Sequence, residues 1–313
     1  MPETTHKVSR STPLLSHSTI TLGVPAYNEE KFIHQTLESI QAQTHKNFAV
    51  LISDNASTDG TQAICERIAS QDPRFTYVRH PKNIGASSNF EFLRQSTDSP
   101  FFAWIGAHDL LNSNYLRHHL EALGNYPNAG VSYTRREYID LNNTFLRRES
   151  NRCIAGAQSF SWFRYIRSII VPDVCAIHGV FRRAFMSNLT MPAVAGVDHL
   201  FLSNSNLLAP FQAIPGNLYL ARDWPEGTQS QDYMERITGH KEISRDLSQL
   251  INAYLNDYNL IHPFGKYSKC MRPIIRCFLN DSFGYSPIAY GKHLRSLLKR
   301  IGKVQSIFGF KPD

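Results

Sequence analysis

The sequence has few cysteines, and none of them is arranged as a metal site or a disulfide framework. Five cysteines are scattered through 313 residues, and no two form a C-x-x-C pair. An odd number of isolated cysteines favours a reducing compartment. Long apolar runs are also missing: none approaches the roughly 18 residues of a membrane-spanning helix, and residues 1–18 are too polar for a secretory leader. We therefore expect a cytoplasmic protein, soluble or bound peripherally at the inner face of a membrane.

Two common phosphate-binding motifs are missing as well. No G-x-G-x-x-G follows the first predicted strand, and no G-x-x-x-x-G-K-[ST] occurs, which argues against dinucleotide-binding and P-loop proteins. The net charge of +7 favours an anionic partner such as nucleic acid, a phosphorylated compound or an acidic membrane. Because no recognition helix or aromatic-basic RNA motif accompanies that charge, we expect no nucleic-acid partner.

Short apolar segments alternate with amphipathic segments between residues 19 and 140. The predicted strands lie at 19–25, 48–53, 75–79, within 101–111, and at 129–134. Helical spacing of apolar residues fills the intervals, and Asn28 is expected to cap the first helix. This alternation predicts an α/β fold with a mostly parallel sheet flanked by helices. Further along we expect a hairpin around Asn142-Asn143, strands at 175–181 and 211–220, and helices from about residue 226.

Polar residues follow the predicted strands where each of them ends. Asp54 ends the second strand, Asn83 follows the third, and His108-Asp109 follow the fourth. Open α/β sheets bind ligands outside the carboxyl ends of their strands, so these side chains should share one crevice. Two carboxylates among amides suit a nucleotide whose phosphates carry a divalent cation.

These loops carry a family resemblance. Residues 19–140 resemble the nucleotide-sugar-binding half of family 2 glycosyltransferases, which have the GT-A fold. The resemblance rests on the motifs Val24–Glu29, Asp54–Thr61, Asn83–Gly85 with Asn89, and the acidic motif that ends at Asp109. Residues 175–224 fit the family more loosely, and the residues after 226 have no such support.

The resemblance implies roles for individual residues. The implied nucleotide-sugar-binding residues are Pro25, Tyr27, Glu29, Asp54, Asn83, Gly85, Asn89 and His108. Among them Asp54 would contact the base, usually uracil. Asp109 would coordinate Mn²⁺ or Mg²⁺ on the diphosphate. Asp198 falls where these enzymes place the general base of an inverting transfer, and His178, Arg222 and Trp224 are candidates for the acceptor side.

One departure from the family pattern concerns the acidic motif. The family usually has Asp-x-Asp or a run of aspartates, whereas this chain has Ala107-His108-Asp109, so the first carboxylate is missing. His108 is expected to act as a softer metal ligand or as a hydrogen-bond donor to the diphosphate.

The domain prediction follows from these readings. We expect a disordered tail at 1–18, a GT-A domain at 19–225 and a helical extension at 226–313. The domain divides into a nucleotide-sugar-binding half (19–140) and an acceptor half (141–225). Residues 290–310 are predicted to form a basic amphipathic helix. This helix would either lie on an anionic membrane surface or pack on its own domain.

The predicted function is transfer of a sugar, usually UDP-linked, to a glycan or lipid-linked hydroxyl in polysaccharide or glycoconjugate synthesis. The alternative is a nucleotide-sugar-binding or glycan-binding protein of the same fold without turnover. A nucleotidyltransferase is less favoured, because residues 25–28 are not the Gly-rich basic loop that such enzymes usually carry after the first strand.

Overall fold

The computed structural model describes residues 18–149, 161, 164–165, 168, 174–186, 189–191 and 197–223. Trp224, the predicted C-terminal extension and the basic helix at 290–310 lie outside the described residues. Among the helices that are described, none has the length and apolar character to cross a membrane.

Eleven strands and five helices are described. The strands are β1 (Ile20–Ala26), β2 (Phe48–Asp54), β3 (Phe75–Arg79), β4 (Phe101–Trp104), β5 (Leu110–Leu111), β6 (Val131–Tyr133), β7 (Arg136–Ile139), β8 (Phe145–Arg148), β9 (Val180–Arg182), β10 (Phe211–Ala213) and β11 (Tyr219–Arg222). The helices are α1 (Ile33–Gln41), α2 (Thr61–Gln71), α3 (Ala86–Gln95), α4 (Tyr115–Asn125) and α5 (Val197–Leu208).

A mostly parallel sheet forms the centre, in the strand order β10-β6-β9-β4-β1-β2-β3. β1 pairs in parallel with both β2 and β4, while β9 runs antiparallel between β4 and β6. All seven residues of β2 are buried, as a near-continuous apolar strand covered on both faces requires. The α/β fold predicted from the alternation is confirmed.

Helix α1 buries one apolar face, whereas α5 is buried on most of its surface. On α1 the buried apolar residues are Ile33, Leu37 and Ile40, spaced as one face of a helix. In the later part of the chain, the ring of Phe201 on α5 packs 5.2 Å from that of Trp104 on β4. Helix α5 is thereby anchored to the strand that leads into the His108-Asp109 turn.

A second, four-stranded sheet has the order β5-β11-β7-β8. β11 pairs antiparallel with β5 and parallel with β7. β7 and β8 form the predicted hairpin, and Asn143 in its turn has a positive φ of 68°, a conformation that asparagine tolerates. This small sheet places residues 219–222 beside the turn that follows β4.

The segment 211–220, predicted as one strand, is instead divided between the two sheets. β10 pairs with β6 in the large sheet, and β11 belongs to the small one. Between them, Pro215 has no N–H to donate to a ladder and Gly216 has a φ of +109°. The predicted strand at 175–181 is likewise corrected to a 3₁₀ turn at Val174–His178 followed by β9.

Asn28 does not cap the first helix. It has a φ of 55°, and α1 begins only at Ile33. Its side-chain oxygen accepts a hydrogen bond from the Thr58 N–H at 2.8 Å. Asn28 therefore joins two loops, because its left-handed backbone turns the side chain toward the loop after β2.

Candidate functional site

The loops after β1 and β2 are held together by reciprocal hydrogen bonds. The N–H of Asn28 donates to Ser57 Oγ at 3.0 Å, and that of Glu29 donates to Thr61 Oγ1 at 2.8 Å. In the other direction, the Gly60 N–H donates to a Glu30 carboxylate oxygen at 2.8 Å. Pro25 and Tyr27 are half-buried beside this pair of loops. The two loops therefore form one rigid edge of the crevice.

Asp54 lies beneath this edge rather than on its surface. Its side chain is fully buried, and its two oxygens accept hydrogen bonds from Ser57 N–H at 2.8 Å and from Tyr77 O–H at 2.6 Å. Burial and the Asp54 charge raise the pKa of Tyr77, so the phenol stays protonated as a donor. Asp54 thus helps to shape the loop after β2, and its predicted contact with the base stays a prediction.

The loop after β3 is built on two asparagines. Asn83 Oδ1 accepts from Asn55 Nδ2 and from the Gly85 N–H, both at 2.8 Å. Gly85 has a φ of 82°, which favours glycine. Asn89, buried on α3, donates to the Ser53 carbonyl at 3.0 Å. Asn83 is half-buried, and the predicted contacts of Asn83, Gly85 and Asn89 with the ribose stay predictions.

The turn after β4 presents Asp109 in a fixed orientation. The Asp109 side chain is 4% exposed. Oδ2 accepts from the Tyr219 hydroxyl at 2.7 Å, and Oδ1 accepts from the Arg222 backbone N–H at 2.8 Å. A Cβ at Gly106 would collide with this carboxylate. Strand β11 therefore holds the acidic residue of the motif, and glycine at 106 leaves room for it.

His108 lies between two carboxylates. Its Nδ1 is 3.1 Å from Glu29 Oε1, and its Nε2 is 3.9 Å from Asp109 Oδ1. The imidazole is 30% exposed, whereas the Glu29 side chain is only 8% exposed. The structure thus brings together Glu29, His108 and Asp109, three of the residues singled out from the sequence.

His178 and Tyr219 extend this group inward. Their rings stack at 4.6 Å, and His178 Nδ1 is 3.0 Å from the Tyr219 hydroxyl. Burial lowers the pKa of His178 to about 4 and raises the pKa of Tyr219 well above its ordinary value. His178 is therefore neutral near pH 7. Its Nδ1 lies at hydrogen-bond distance from the oxygen that donates to Asp109.

Arg222 is occupied by the protein itself. Its guanidinium donates to the carbonyls of His108 and Asp140 at 2.9 and 2.8 Å. Two further bonds go to Gln35 and Asn143, and the group stacks 4.3 Å above the Phe32 ring. Four of the five N–H groups of a guanidinium are thus used within the protein, and the predicted role of Arg222 on the acceptor side stays a prediction.

Asp198 occupies the first turn of α5 and is half-exposed. Within the described residues, no hydrogen bond or ion pair joins it to the group around Asp109. Its predicted role as a base stays a prediction, as does the acceptor-side role of Trp224.

Tyr219 is a residue that the sequence analysis missed. It holds Asp109, and its oxygen also accepts from the Gly106 N–H at 3.1 Å. No local signal in the sequence marks it, because its partners Gly106, Asp109 and His178 lie between 41 and 113 positions away. The looser family resemblance over residues 175–224 includes it.

The chain's family is established by its sequence. The profile described as glycosyl transferase family 2 matches residues 21–188, more than half of the 313 residues. The chain belongs to glycosyl transferase family 2. A relative from Rickettsia bellii, named an uncharacterized glycosyltransferase, is 28% identical over 142 residues. That alignment covers 45% of this family 2 chain and 19% of the relative, so the chain spans about a fifth of that protein.

Solved structures share the fold of this family 2 chain. S. aureus TarS 1–349, solved in complex with UDP-GlcNAc, aligns with a TM-score of 0.62 and 16% identity, over 85% of this chain and 73% of TarS. The mannosyltransferase PcManGT from Pyrobaculum calidifontis, solved with GDP-Man and Mn²⁺, aligns with a TM-score of 0.52 and 16% identity, over 94% of this chain and 82% of its own. These likenesses establish the GT-A fold.

A divalent cation occurs in the PcManGT complex, so the donor atoms of this chain were compared with what a cation needs. In the part of the chain that the structure describes, no three His, Cys, Asp or Glu side chains group as a metal site. His108 and Asp109 nevertheless offer one nitrogen and one oxygen at the mouth of the turn. Two protein ligands suffice where substrate phosphates supply the others, so the residues fit a cation that binds with a nucleotide diphosphate.

Proposed function

We propose that the chain transfers a sugar from a nucleotide diphospho-sugar to an acceptor hydroxyl, in the synthesis of a polysaccharide or another glycoconjugate. The observation that carries the proposal is the turn Gly106–Asp109, clamped by Tyr219 and Arg222. This turn follows β4 at the sheet edge where β1 and β2 also end. A fixed carboxylate at that edge, beside rigid polar loops, suits the diphosphate of a donor.

The donor's nucleoside is proposed to lie against the loops after β1, β2 and β3. Pro25, Tyr27 and Asn83 are half-buried there and can border the base and ribose. Asp54 is proposed to contact the base and Gly85 to border the ribose. UDP is the nucleotide that we propose first, and GDP is the comparison, because the two structural neighbours hold UDP-GlcNAc and GDP-Man.

Asp109 and His108 are the residues proposed to hold a divalent cation. Such a cation, when bound, neutralises the charge that develops on the leaving diphosphate. The chain's own contribution is orientation: Tyr219 and Arg222 fix the Asp109 carboxylate before any ligand arrives. Fixed groups cost no reorganisation during the reaction.

Asp198 is proposed as the base that accepts the proton of the acceptor hydroxyl. The acceptor oxygen forms its bond to the anomeric carbon as the bond to the diphosphate breaks on the opposite face, which inverts that centre. Asp198 is half-exposed on a helix that Phe201 anchors to β4. The acceptor is proposed to be a glycan or a lipid-linked hydroxyl.

The deciding experiment is calorimetry with UDP and with GDP, each in EDTA and in Mn²⁺, followed by transfer assays with the matching nucleotide sugars. Nucleotide binding together with product formation supports the proposal. Asp198→Asn is expected to lower transfer by about 10²-fold or more and to leave nucleotide affinity within about twofold. The exposed Asp98→Asn serves as the control. Undiminished transfer by Asp198→Asn would remove Asp198 from the mechanism.

A second function is favoured by one observation. Ala107 stands where the family motif usually has a carboxylate, which suits a protein that binds a nucleotide sugar or glycan without turning it over. Nucleotide binding with no product across a panel of acceptors would support this alternative. Absence of nucleotide binding under every condition would overturn the transferase and nucleotide-sugar binding, and absence of glycan binding as well would overturn the whole alternative.

A further inference from the structure

Exposed apolar side chains are concentrated on the β7–β8 hairpin (136–148). Among the residues that the structure describes, four large hydrophobic side chains are exposed, and three of them belong to this hairpin. Leu141 lies in the turn, and Phe145 and Leu146, which are 53% and 50% exposed, begin β8. The fourth is Tyr126, which follows α4. Single exposed apolar residues are ordinary on a protein surface, whereas a cluster of them indicates an interaction site.

The turn that carries this apolar cluster is held from its inner side. The Asp140 carboxylate accepts hydrogen bonds from the N–H groups of Asn142 and Thr144, both at 2.8 Å. The side-chain oxygen of Asn143 accepts from the Arg222 guanidinium at 2.7 Å. Because the turn is fixed by these bonds, its apolar side chains stay displayed to the outside and do not fold back onto the domain.

The charged groups of the hairpin present their positive members outward. The Arg148 side chain is 65% exposed, whereas that of its partner Glu137 is 14% exposed. Arg147 is likewise more exposed than its partner Asp223. Exposed ion pairs contribute little to stability, so each guanidinium can exchange its carboxylate for an outside anion at small cost. The hairpin therefore combines an apolar cluster with outward-facing positive charge.

A second copy of the chain fits this surface poorly. Strand β8 is the outer strand of the small sheet as described, so two copies could in principle pair edge to edge. That pairing would crowd Arg147 and Arg148 of both chains into one short strand pair, where like charges are unfavourable. An anionic lipid surface matches the hairpin instead, because its headgroups attract arginine and its acyl boundary accepts Phe and Leu side chains.

We propose that the β7–β8 hairpin docks on an anionic lipid surface, with its exposed apolar side chains in the acyl boundary and its two outer arginines on lipid phosphates. The docking itself goes beyond the proposed function. Its consequence rests on that function: Arg222 joins the hairpin to the Asp109 turn, so docking places the donor site close to a surface that carries lipid-linked acceptors.

The test is flotation of the full chain with two kinds of vesicle, one of phosphatidylcholine and one of phosphatidylcholine and phosphatidylglycerol in equal parts. The wild type is expected to bind the anionic vesicles more tightly than the neutral ones. The double variant Phe145→Ser/Leu146→Ser should weaken binding about tenfold or more, because burying even half of one such side chain is worth about that factor. Arg148→Gln should lose about fivefold, on anionic vesicles alone.

Tyr126→Ser is the matched control, because Tyr126 is as exposed as Leu146 but precedes β6 and lies outside the hairpin. It should bind vesicles as the wild type does. All of these variants should keep the wild-type urea midpoint and the wild-type nucleotide affinity without vesicles, since each changed side chain is exposed. Arg148→Gln provides an independent measurement should the double variant lose stability.

Two outcomes would show that the hairpin is not the membrane contact. Equal vesicle binding by the wild type and the double variant would overturn the inference and leave another part of the chain, such as residues 290–310, as the contact. If the wild type binds no vesicles, the inference also fails, and a dimer in sedimentation velocity that the double variant dissociates would assign the surface to a second copy. Neither outcome depends on nucleotide binding, so the proposed function is decided separately.

Discussion

Tyr219 controls Asp109 through one hydroxyl group. That oxygen gives its hydrogen to Asp109, accepts from the Gly106 N–H and lies 3.0 Å from His178 Nδ1. Tyr219→Phe would leave these buried groups without their partner, so we expect the free energy of unfolding to fall by about 1–3 kcal/mol. Nucleotide affinity in Mn²⁺ should fall as well, because the carboxylate loses its orientation. Urea unfolding and calorimetry measure the two effects.

Tyr126→Phe is the matched control for that experiment, because Tyr126 is 49% exposed. It should change stability by no more than about 0.5 kcal/mol. If Tyr219→Phe lowers the free energy of unfolding no more than Tyr126→Phe does, the hydrogen bonds of the Tyr219 hydroxyl do not stabilise the protein as described.

Gly106 can be tested in the same way by adding one methyl group. A Cβ added at Gly106 would collide with the Asp109 carboxylate, whereas a Cβ added at Gly124 would have no neighbouring atom within 4 Å. Gly106→Ala should weaken Mn²⁺-dependent nucleotide binding by about tenfold or more, since small displacements of a binding group are costly. Gly124→Ala, inside α4, should bind normally and gain up to about 1 kcal/mol in stability. Equal nucleotide affinities in the two variants would contradict this account of the turn.

Asp54 illustrates what a motif shows about a residue and what it leaves out. The sequence correctly places it at the end of a buried strand. Its carboxylate also accepts a hydrogen bond from Tyr77 on the neighbouring strand. A motif records which residue is present, whereas the partners of a buried carboxylate arrive from elsewhere in the chain.

At the scale of elements, strand β11 connects the Asp109 turn to the β7–β8 hairpin. Its last residue, Arg222, donates to carbonyls in the Asp109 turn and at the β7–β8 hairpin, and stacks on Phe32. Arg222→Ala would remove these contacts together and leave four partly buried acceptors without their donor. We expect the free energy of unfolding to fall by about 3 kcal/mol, measured by urea unfolding.

Arg148 provides the comparison within the same small sheet. Its ion pair with Glu137 has an arginine side chain that is 65% exposed, and exposed pairs contribute at most about 1 kcal/mol. Arg148→Ala should therefore be mild. Similar losses for both arginines would show that Arg222 is not the junction between these elements.

At the scale of the whole molecule, buried histidines make stability depend on pH. His119 is fully buried, its Nδ1 lies 2.7 Å from Ser132 Oγ, and burial lowers its pKa from 6.5 to about 3. As the pH falls below 6.5, the unfolded chain takes up this proton before the folded chain does. Stability is therefore complete above pH 6.5 and is lost progressively toward pH 3, by roughly 1.4 kcal/mol per pH unit for each such group.

The measurement is urea unfolding at several pH values between 7.5 and 4.5. His119→Gln should be less stable at pH 7.5 and should show a slope smaller by about one proton between pH 6.5 and 4.5. His34→Gln, which changes an exposed histidine, should keep the wild-type slope. A slope unchanged in His119→Gln would exclude His119 as the source.

Local pattern alone determined much of this protein. The alternation of apolar and amphipathic segments predicted the parallel sheet, because burial on both faces imposes continuous apolar runs on strands such as β2. The hairpin around Asn142-Asn143 was also predictable, since turn residues act within a few positions. Pro25, Asn83 and His108-Asp109 were placed at strand ends for the same local reason.

Only the tertiary structure decided how those strand ends are used. The division of 211–220 between two sheets brings Tyr219 and Arg222 into contact with Asp109. The contact of Glu29 with His108 forms because the loop after β1 packs against the turn after β4. These contacts join residues from 79 to 114 positions apart. A sequence pattern records short-range periodicity and local turns, whereas the partner of a buried polar atom depends on which distant segment fills the space beside it.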